Sequence, residues 1–296
     1  MPGKHAYMIM AHKSDLTFYT LLAMLDHPRN DIFLHMDIKN KGFDPKTLEG
    51  LLKYSGLYLT KRISVTWGGY SQIQVKIDML EKAREVGKYD YYHFISAQDL
   101  PIKSQDHIHA FFDAHQGREF VNYESETFGY EGRVRNYWFL QEAAGRWNTV
   151  KGGSLHLLDR ASVWVQGKLG VWRNPQVAFQ KGETWASITG DFGDYIWENR
   201  ENTKPWFQHT LCGDEVWFQT LLDQSPFREN LYHPAHDDTA DQTLRLIDWK
   251  RGDPYVFRMA DFDSLCESKM LWARKFDPNV DAEVIRKLKE KFGKKE

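Results

Sequence analysis

The chain has 296 residues, 42% hydrophobic and 27% charged, with 39 basic and 41 acidic residues and a net charge of −2. That balance excludes a disordered or fibrous chain and a global field that draws in nucleic acid or an anionic membrane, leaving only a local basic patch open. Cys212 and Cys266 are too few for a disulfide scaffold or a cysteine zinc site, and no run of about 18 apolar residues offers a membrane span.

The first half alternates strand and helix. Residues 6–11 (AYMIMA) read as a short strand ending at His12-Lys13. Leu16, Tyr19, Leu22 and Ala23 recur at helical spacing over 15–25, with Ser14 as N-cap and Pro28 past the stop. Residues 31–37 (DIFLHMD) form a second strand, and 57–66 hold two β-rich stretches. WGGYSQ (67–72) turns into an amphipathic helix over 72–86. Residues 89–96 (YDYYHFIS) are another buried strand, and 106–115 are helical. This alternation predicts a Rossmann-like α/β fold, a mostly parallel sheet flanked by helices, with its ligand at the carboxyl ends of the strands. His12, Asp37, Trp67 and Asp99 each fall just past a strand, so one cleft is expected.

The second half is less regular. Residues 118–123 read as a strand, and 152–170, 184–199 and 213–223 as helices. Short strands are expected over 231–233 and 245–249, loops over 233–241 and 249–254, and an exposed basic helix over 282–295. No repeat, low-complexity linker or domain boundary interrupts the chain.

Several constellations carry chemistry. Aromatic residues reach 15%, with 11 Trp, useful in a core and equally against the flat apolar face of a sugar. WGGYSQ is either a phosphate-facing loop or a turn, and it lacks the dinucleotide and P-loop spacings. SAQDLPI (96–102) places Asp99 after a buried strand, without the second acid of the Asp-x-Asp metal motif that many nucleotide-sugar transferases carry there. Asp261-Phe-Asp263 matches that motif literally, but in a loop-like stretch near the C-terminus, and reads as chance. GDEVWFQTLL (213–222) sets Asp214 as a helix-capping acid. Glu215, beside Trp217 and Phe218, is either a second such acid or a partly desolvated base. HPAHDD (233–238) has metal-ligand residue types at no hydrolase spacing. Arg258, Lys269, Arg274 and Lys275 lie among apolar residues over 257–277, on a solvated face or, for Lys275, against an anion.

Taken in order, AYMIMAHK, FLHMDIK, VTWGGYSQIQ, YYHFISAQDLPIKS, KGETWASIT, GDEVWFQTLL, LRLIDW and LWARKFD resemble glycosyltransferase family 14, the core-2/I-branching and peptide O-xylosyltransferase enzymes, over about residues 5–280. The resemblance implies a glycosyltransferase-A type fold in a metal-independent variant, needing no cofactor, and inverting transfer from a UDP-sugar donor to a hydroxyl of a glycan or glycolipid acceptor. Xylose or N-acetylglucosamine are the sugars it suggests. It implies a nucleotide-binding half (1–115), an acceptor and catalytic half (116–280) and a C-terminal helix (281–296) in one domain. Residue by residue it assigns Met10, His12, Asp37, Ile38, Lys39 and Trp67 to the nucleotide, and Arg258 and Lys275 to the diphosphate. Glu215 becomes the catalytic base. Glu126, Arg133, Arg135, Asp248 and Trp249 fall in the acceptor region, where Asp248 replaces an aromatic residue of the animal branching enzymes.

With no signal peptide or stem before the strand at 6–11, the reading is a bacterial, cytoplasmic enzyme of surface-polysaccharide synthesis, at most at the inner face of the membrane, with no transmembrane segment and no nucleic-acid partner. A carbohydrate-binding module using the Trp residues, and a metal-dependent hydrolase using His233, His236 and Asp237, are the alternatives. A dinucleotide oxidoreductase lacks its fingerprint.

Overall fold

The computed structural model describes residues 3–294. Eight strands run through them: β1 (His5–Ala11), β2 (Asn30–Met36), β3 (Gly56–Leu59), β4 (Tyr91–Ser96), β5 (Asp99–Pro101), β6 (Ser187–Thr189), β7 (Arg245–Ile247) and β8 (Trp272–Arg274). Five build the main sheet in the order β3-β2-β1-β4-β6. The first four are parallel, and β6 closes the edge antiparallel to β4. This is the mostly parallel, helix-flanked sheet expected for a glycosyltransferase-A type domain.

The apolar runs follow from burial on both faces. Tyr7, Ile9 and Ala11 of β1 face one core with Ile32, Leu34 and Met36. Helices α1 (Leu16–Leu25) and, at the far end of the chain, Ala282–Phe292 cover that face. Ala6 and Met8 face the other core with Phe33, Tyr92 and Phe94. There α2 (Ser71–Val86) packs, joined by the helices at 190–198 and 217–223.

Connections from β1 run to β2 and β3 on one side, while β4 pairs on the other. The chain order therefore reverses between β1 and β4, and a crevice opens at their carboxyl ends. A small sheet, β5-β8-β7, closes the crevice from the C-terminal half. Its register sets Asp99 opposite Arg274, and Arg274 beside Ile247. Helix α3 (Gln105–Ala114) follows β5. Then come α4 (Glu131–Val134), α5 (Gln141–Ala144), α6 (Val150–Lys168), α7 (Gly190–Glu198), α8 (Arg200–Phe207), α9 (Trp217–Asp223), α10 (Phe262–Glu267) and α11 (Ala282–Phe292).

Several expected elements differ. Residues 60–66 are not strand: the amides of Ile63 and Val65 donate to His35 Nε2 at 3.1 Å and Asp37 Oδ2 at 3.3 Å, so side chains interrupt the ladder. Residues 118–123 and 231–233 make only isolated bridges, Glu119 to Leu231 and Phe120 to Ser187. The expected helix at 184–199 splits, because Ser187–Thr189 joins the sheet edge before α7 begins. That at 213–223 splits into a 3₁₀ turn, Gly213–Glu215, and α9. The C-terminal helix is not simply exposed, since Val284, Ile285 and Leu288 pack into the first core; residue 295 lies outside the described residues.

Asp15, not Ser14, caps α1: its Oδ1 accepts from the amides of Thr17 at 3.0 Å and Phe18 at 3.2 Å. Asp15→Ala is expected to lower stability by about 1 kcal/mol. Ser14→Ala is expected to stay within about 0.5 kcal/mol. Urea unfolding of the two variants distinguishes the caps.

Candidate active site

The crevice is one cleft with two chambers that share Trp67, Gln72, Arg146, Trp185 and Arg274 as a waist. The chamber at the strand ends encloses about 830 Å³ and takes its walls from Met10, His12, Asp37, Lys39, Ser96 and the 64–67 segment. Four cations line it, Lys39, Arg146, Lys151 and Arg274, against Asp37 and Glu142. Asp37 is buried and holds the loop, accepting from the Lys39 amide at 2.8 Å and Lys39 Nζ at 3.2 Å. Glu142 is also engaged, accepting from the Ser71 amide at 3.2 Å.

Ser71 opens α2, so a carboxylate already occupies that helix N-terminus. WGGYSQ is accordingly a packing turn. Gly68 has φ +69°, and its carbonyl accepts from Cys212 N at 2.9 Å. A Cβ at Gly69 would fall 2.4 Å from Glu142 Oε2. The turn delivers Trp67 to the waist, with the Arg146 guanidinium 5.8 Å from its ring.

The second chamber encloses about 750 Å³. Six carboxyl residues line it: Glu124, Glu183, Asp214, Glu215, Asp238 and Asp253. Trp67, Trp147, Trp185 and Trp249 give it flat apolar walls suited to sugar rings. Glu215 Oε2 accepts from Arg133 Nη1 at 2.9 Å and lies 3.9 Å from Lys181 Nζ. Lys181 also pairs with Glu124. Burial first, then the neighbouring Asp214, pushes the Glu215 carboxyl above the usual range, with Lys181 and Arg133 opposing.

Asp214 is buried, with Oδ1 unpartnered and its carboxyl likewise raised by burial. Behind it the buried Lys76 donates to Thr184 O at 2.8 Å and Oγ1 at 2.7 Å, and burial lowers its ammonium to about 8. Glu183 is pushed up to about 7 by burial.

At the waist Asp99 accepts from Ser96 N at 2.8 Å and from Arg274 Nη1 at 2.8 Å. Lys275, half-buried, is lowered by burial and then by the cations of Arg274 and Arg146.

The sequence-assigned residues divide. Met10, His12, Asp37, Lys39 and Trp67 line the strand-end chamber, and Glu215 and Trp249 line the other. Arg133 reaches the site through Glu215. Ile38 lines neither chamber and is exposed.

Arg258 is exposed and outside both chambers, where its amide donates to Asp261 Oδ2 at 2.8 Å. Lys275 is likewise absent from the lining of both chambers; the cation that does line the waist is its neighbour Arg274. Arg135 is structural: its guanidinium donates to Glu131 at 2.6 Å and to the Val177 carbonyl at 2.9 Å. Glu126 is outside the lining and faces His236 at 3.5 Å. Asp248, also outside it, ties its own turn by accepting from the amides of Lys250 at 2.9 Å and Arg251 at 3.0 Å.

His233 pairs with Asp237 at 3.0 Å, while His236 meets Arg228 at 3.1 Å, so the residues of the hydrolase alternative do not converge. Among the described residues no three His, Cys, Asp or Glu side chains come together as a metal-binding group. Sequence reasoning missed Arg146, Lys151, Glu183 and Trp185. The last two sit in KGETWASIT, which carried the resemblance. The first two lie in an aromatic, charged stretch with no periodic signature.

A family model described as "Branch: Core-2/I-Branching enzyme" matches residues 5–272. The chain belongs to this family, which is the glycosyltransferase family expected from the eight ordered segments. It is 22% identical over 315 residues to xylosyltransferase 1 of Homo sapiens, covering 97% of this chain and 30% of that protein. It is 25% identical over 291 residues to xylosyltransferase oxt of Drosophila melanogaster, covering 92% and 31%. The chain thus spans about a third of the length of these relatives. The solved apo structure of mouse xyloside xylosyltransferase 1 aligns over 91% of this chain and 96% of its own, at 10% identity and a TM-score of 0.38, a loose likeness.

A carboxylate acts as a base only when ionised, so a rate that depended on Glu215 would fall as pH drops through its raised pKa. Arg133 opposes that rise. Arg133→Gln is therefore expected to move the acid limb of kcat/KM to higher pH. A pH–rate profile with an unmoved limb would detach Arg133 from the group that sets the limb.

Proposed function

We propose that the chain is an inverting glycosyltransferase that moves a sugar from a UDP-sugar to a hydroxyl of a glycan or glycolipid. The observation that carries this reading is the charge division of a single cleft. Cations surround the chamber at the strand ends, and a raised carboxyl, Glu215, lines the other, about a waist of aromatic rings. A nucleoside diphosphate suits the first chamber and a sugar acceptor the second.

Glu215 takes the proton of the acceptor hydroxyl as that oxygen bonds to the anomeric carbon. The bond from that carbon to the diphosphate oxygen breaks in the same step, and its electron pair leaves with UDP. Displacement from the opposite face inverts the centre, and no protein nucleophile is needed. Arg274 and Lys275, supported by Arg146, neutralise the growing charge on the diphosphate in place of a divalent cation. The engagement of Asp99 by Arg274 supports this: a guanidinium sits against the acid that follows β4. The family relatives make UDP-xylose and UDP-N-acetylglucosamine the donors to test first. A lectin-like module would share the Trp walls but has no use for Glu215.

Turnover is expected to persist with EDTA present throughout. Under the same conditions Glu215→Gln should bind UDP normally while its transfer rate falls by about 10²-fold or more. Near-normal turnover in that variant removes Glu215 as the base. Loss of wild-type turnover to EDTA, restored by Mn²⁺, overturns the metal-free reading.

The diphosphate contact is tested by isothermal titration. Lys275→Ala is expected to weaken UDP by about 1.5–3 kcal/mol, the range for a charge-assisted contact, and to leave uridine unchanged. Arg258→Ala is expected to change UDP binding by less than about 0.5 kcal/mol, as for a surface residue. Equal losses for UDP and uridine would remove Lys275 from the diphosphate.

A further inference from the structure

Helix α6 turns polar residues inward and carries several apolar residues, with cations among them, on its exposed side. Its buried residues are Gly152, His156, Asp159 and Gln166. Each is held by polar contacts. His156 Nε2 meets the Gly145 carbonyl at 2.8 Å. Asp159 accepts from the Leu140 amide at 3.1 Å, and Gln166 Nε2 donates to the Tyr137 carbonyl at 2.9 Å.

The outward stripe carries Leu157 at 68% exposure, Leu158 at 60%, Trp164 at 66% and Val165 at 46%, and continues to Leu169 at 75%. At 3.6 residues per turn these positions fall on one side of the cylinder. A monomer in water does not gain by presenting such a face, and contiguous apolar surface of this kind marks an interaction site.

Charge identifies the partner. Lys151, Arg160 and Lys168 are exposed on the same helix, and its one acid, Asp159, is buried. The helix surface is therefore apolar and purely cationic in a chain whose net charge is −2. A second copy fits poorly, because two-fold pairing through α6 would set three cations against their own duplicates. Trp164, and Trp172 just beyond the helix at 55% exposure, have rings suited to the headgroup level of a bilayer. At 19 residues the helix is about 28 Å long. Among the described residues no helix is long and apolar enough to cross a membrane.

We propose that α6 is a membrane-surface helix that lies in the plane of a bilayer containing anionic lipid, its apolar stripe in the acyl boundary and its cations on the headgroups. Arg146, Trp147 and Asn148, directly before α6, and Lys151 in its first turn line the cleft. Docking therefore sets the mouth of the cleft at the lipid surface, within reach of a lipid-linked acceptor. The docking stands by itself; this orientation of an active site rests on the transferase reading.

Flotation with vesicles of phosphatidylcholine, alone or with about 30 mol% phosphatidylglycerol, tests it. The wild-type chain is expected to bind the anionic vesicles at least about tenfold more tightly, with the preference fading as salt rises. Combined Leu157→Gln, Leu158→Gln and Val165→Gln should abolish binding to both. Arg160→Gln with Lys168→Gln should abolish the preference and its salt dependence. All five positions are exposed, so thermal unfolding and UDP binding are expected to be unchanged.

Equal binding to both vesicle types, or binding to neither, overturns the proposal. A concentration-dependent dimer in sedimentation velocity, abolished by the three apolar substitutions, assigns the face to a second copy and also overturns it. UDP titration of the same samples reads the transferase assignment separately. Vesicle binding without UDP binding keeps the surface and removes that assignment.

Discussion

The site depends most on the pair between Asp99 and Arg274. Asp99 is buried at 2% exposure, and its carboxylate is held by the amide and hydroxyl of Ser96 and by Arg274 at 2.8 Å. A carboxylate this deep is tolerated only when it is paired and its remaining lone pairs are satisfied. Removing Arg274 would strand it, at about 3–5 kcal/mol by analogy with broken buried pairs. The pair also joins the two sheets. It holds the register of β8 against β5, and β8 in turn positions β7. Through that register the C-terminal half brings Arg274 and Trp249 to a cleft whose other wall is built by the first hundred residues.

From that joint the cleft divides by charge. Cations gather where the strands end, and carboxyl groups gather on the other side of the waist. Two anionic centres close together would repel in a water-poor cleft, so their separation suits the proposed diphosphate and carboxylate base. Burial raises Glu215, Asp214 and Glu183, while Lys181 and Arg133 keep Glu215 from rising further. The buried Lys76, lowered to about 8, places one more partial charge behind this group. A carboxyl held above its ordinary range by burial is a stronger base than a free one, which suits the proton transfer proposed for Glu215.

Helix α6 connects this chemistry to a surface. Its polar side is consumed by hydrogen bonds to the 137–145 segment, which leaves its apolar side for something outside the chain. Because the segment just before it lines both chambers, the orientation of the cleft and the partner of the helix are set by one piece of structure.

The sequence by itself determined the sheet and the family. Apolar strands buried on both faces, such as AYMIMA and YYHFIS, can only lie inside a helix-flanked sheet, and eight segments in order marked the core-2/I-branching chain. Strand ends also brought His12, Asp37 and Trp67 to the cleft, because they are local features, while Met10, Lys39, Glu215 and Trp249 were carried there by the family resemblance. What only the tertiary structure decided is which distant groups meet. Arg274 faces Asp99 across 175 positions, and Arg133 reaches Glu215 across 82. Arg258, Arg135, Glu126 and Asp248 carry the right chemistry in the chain but line neither chamber, and Arg135 and Asp248 are engaged by neighbours outside the cleft. The direction of α6 was equally hidden. Periodicity shows that a helix has two faces, but only the packing of His156, Asp159 and Gln166 tells which face the protein keeps.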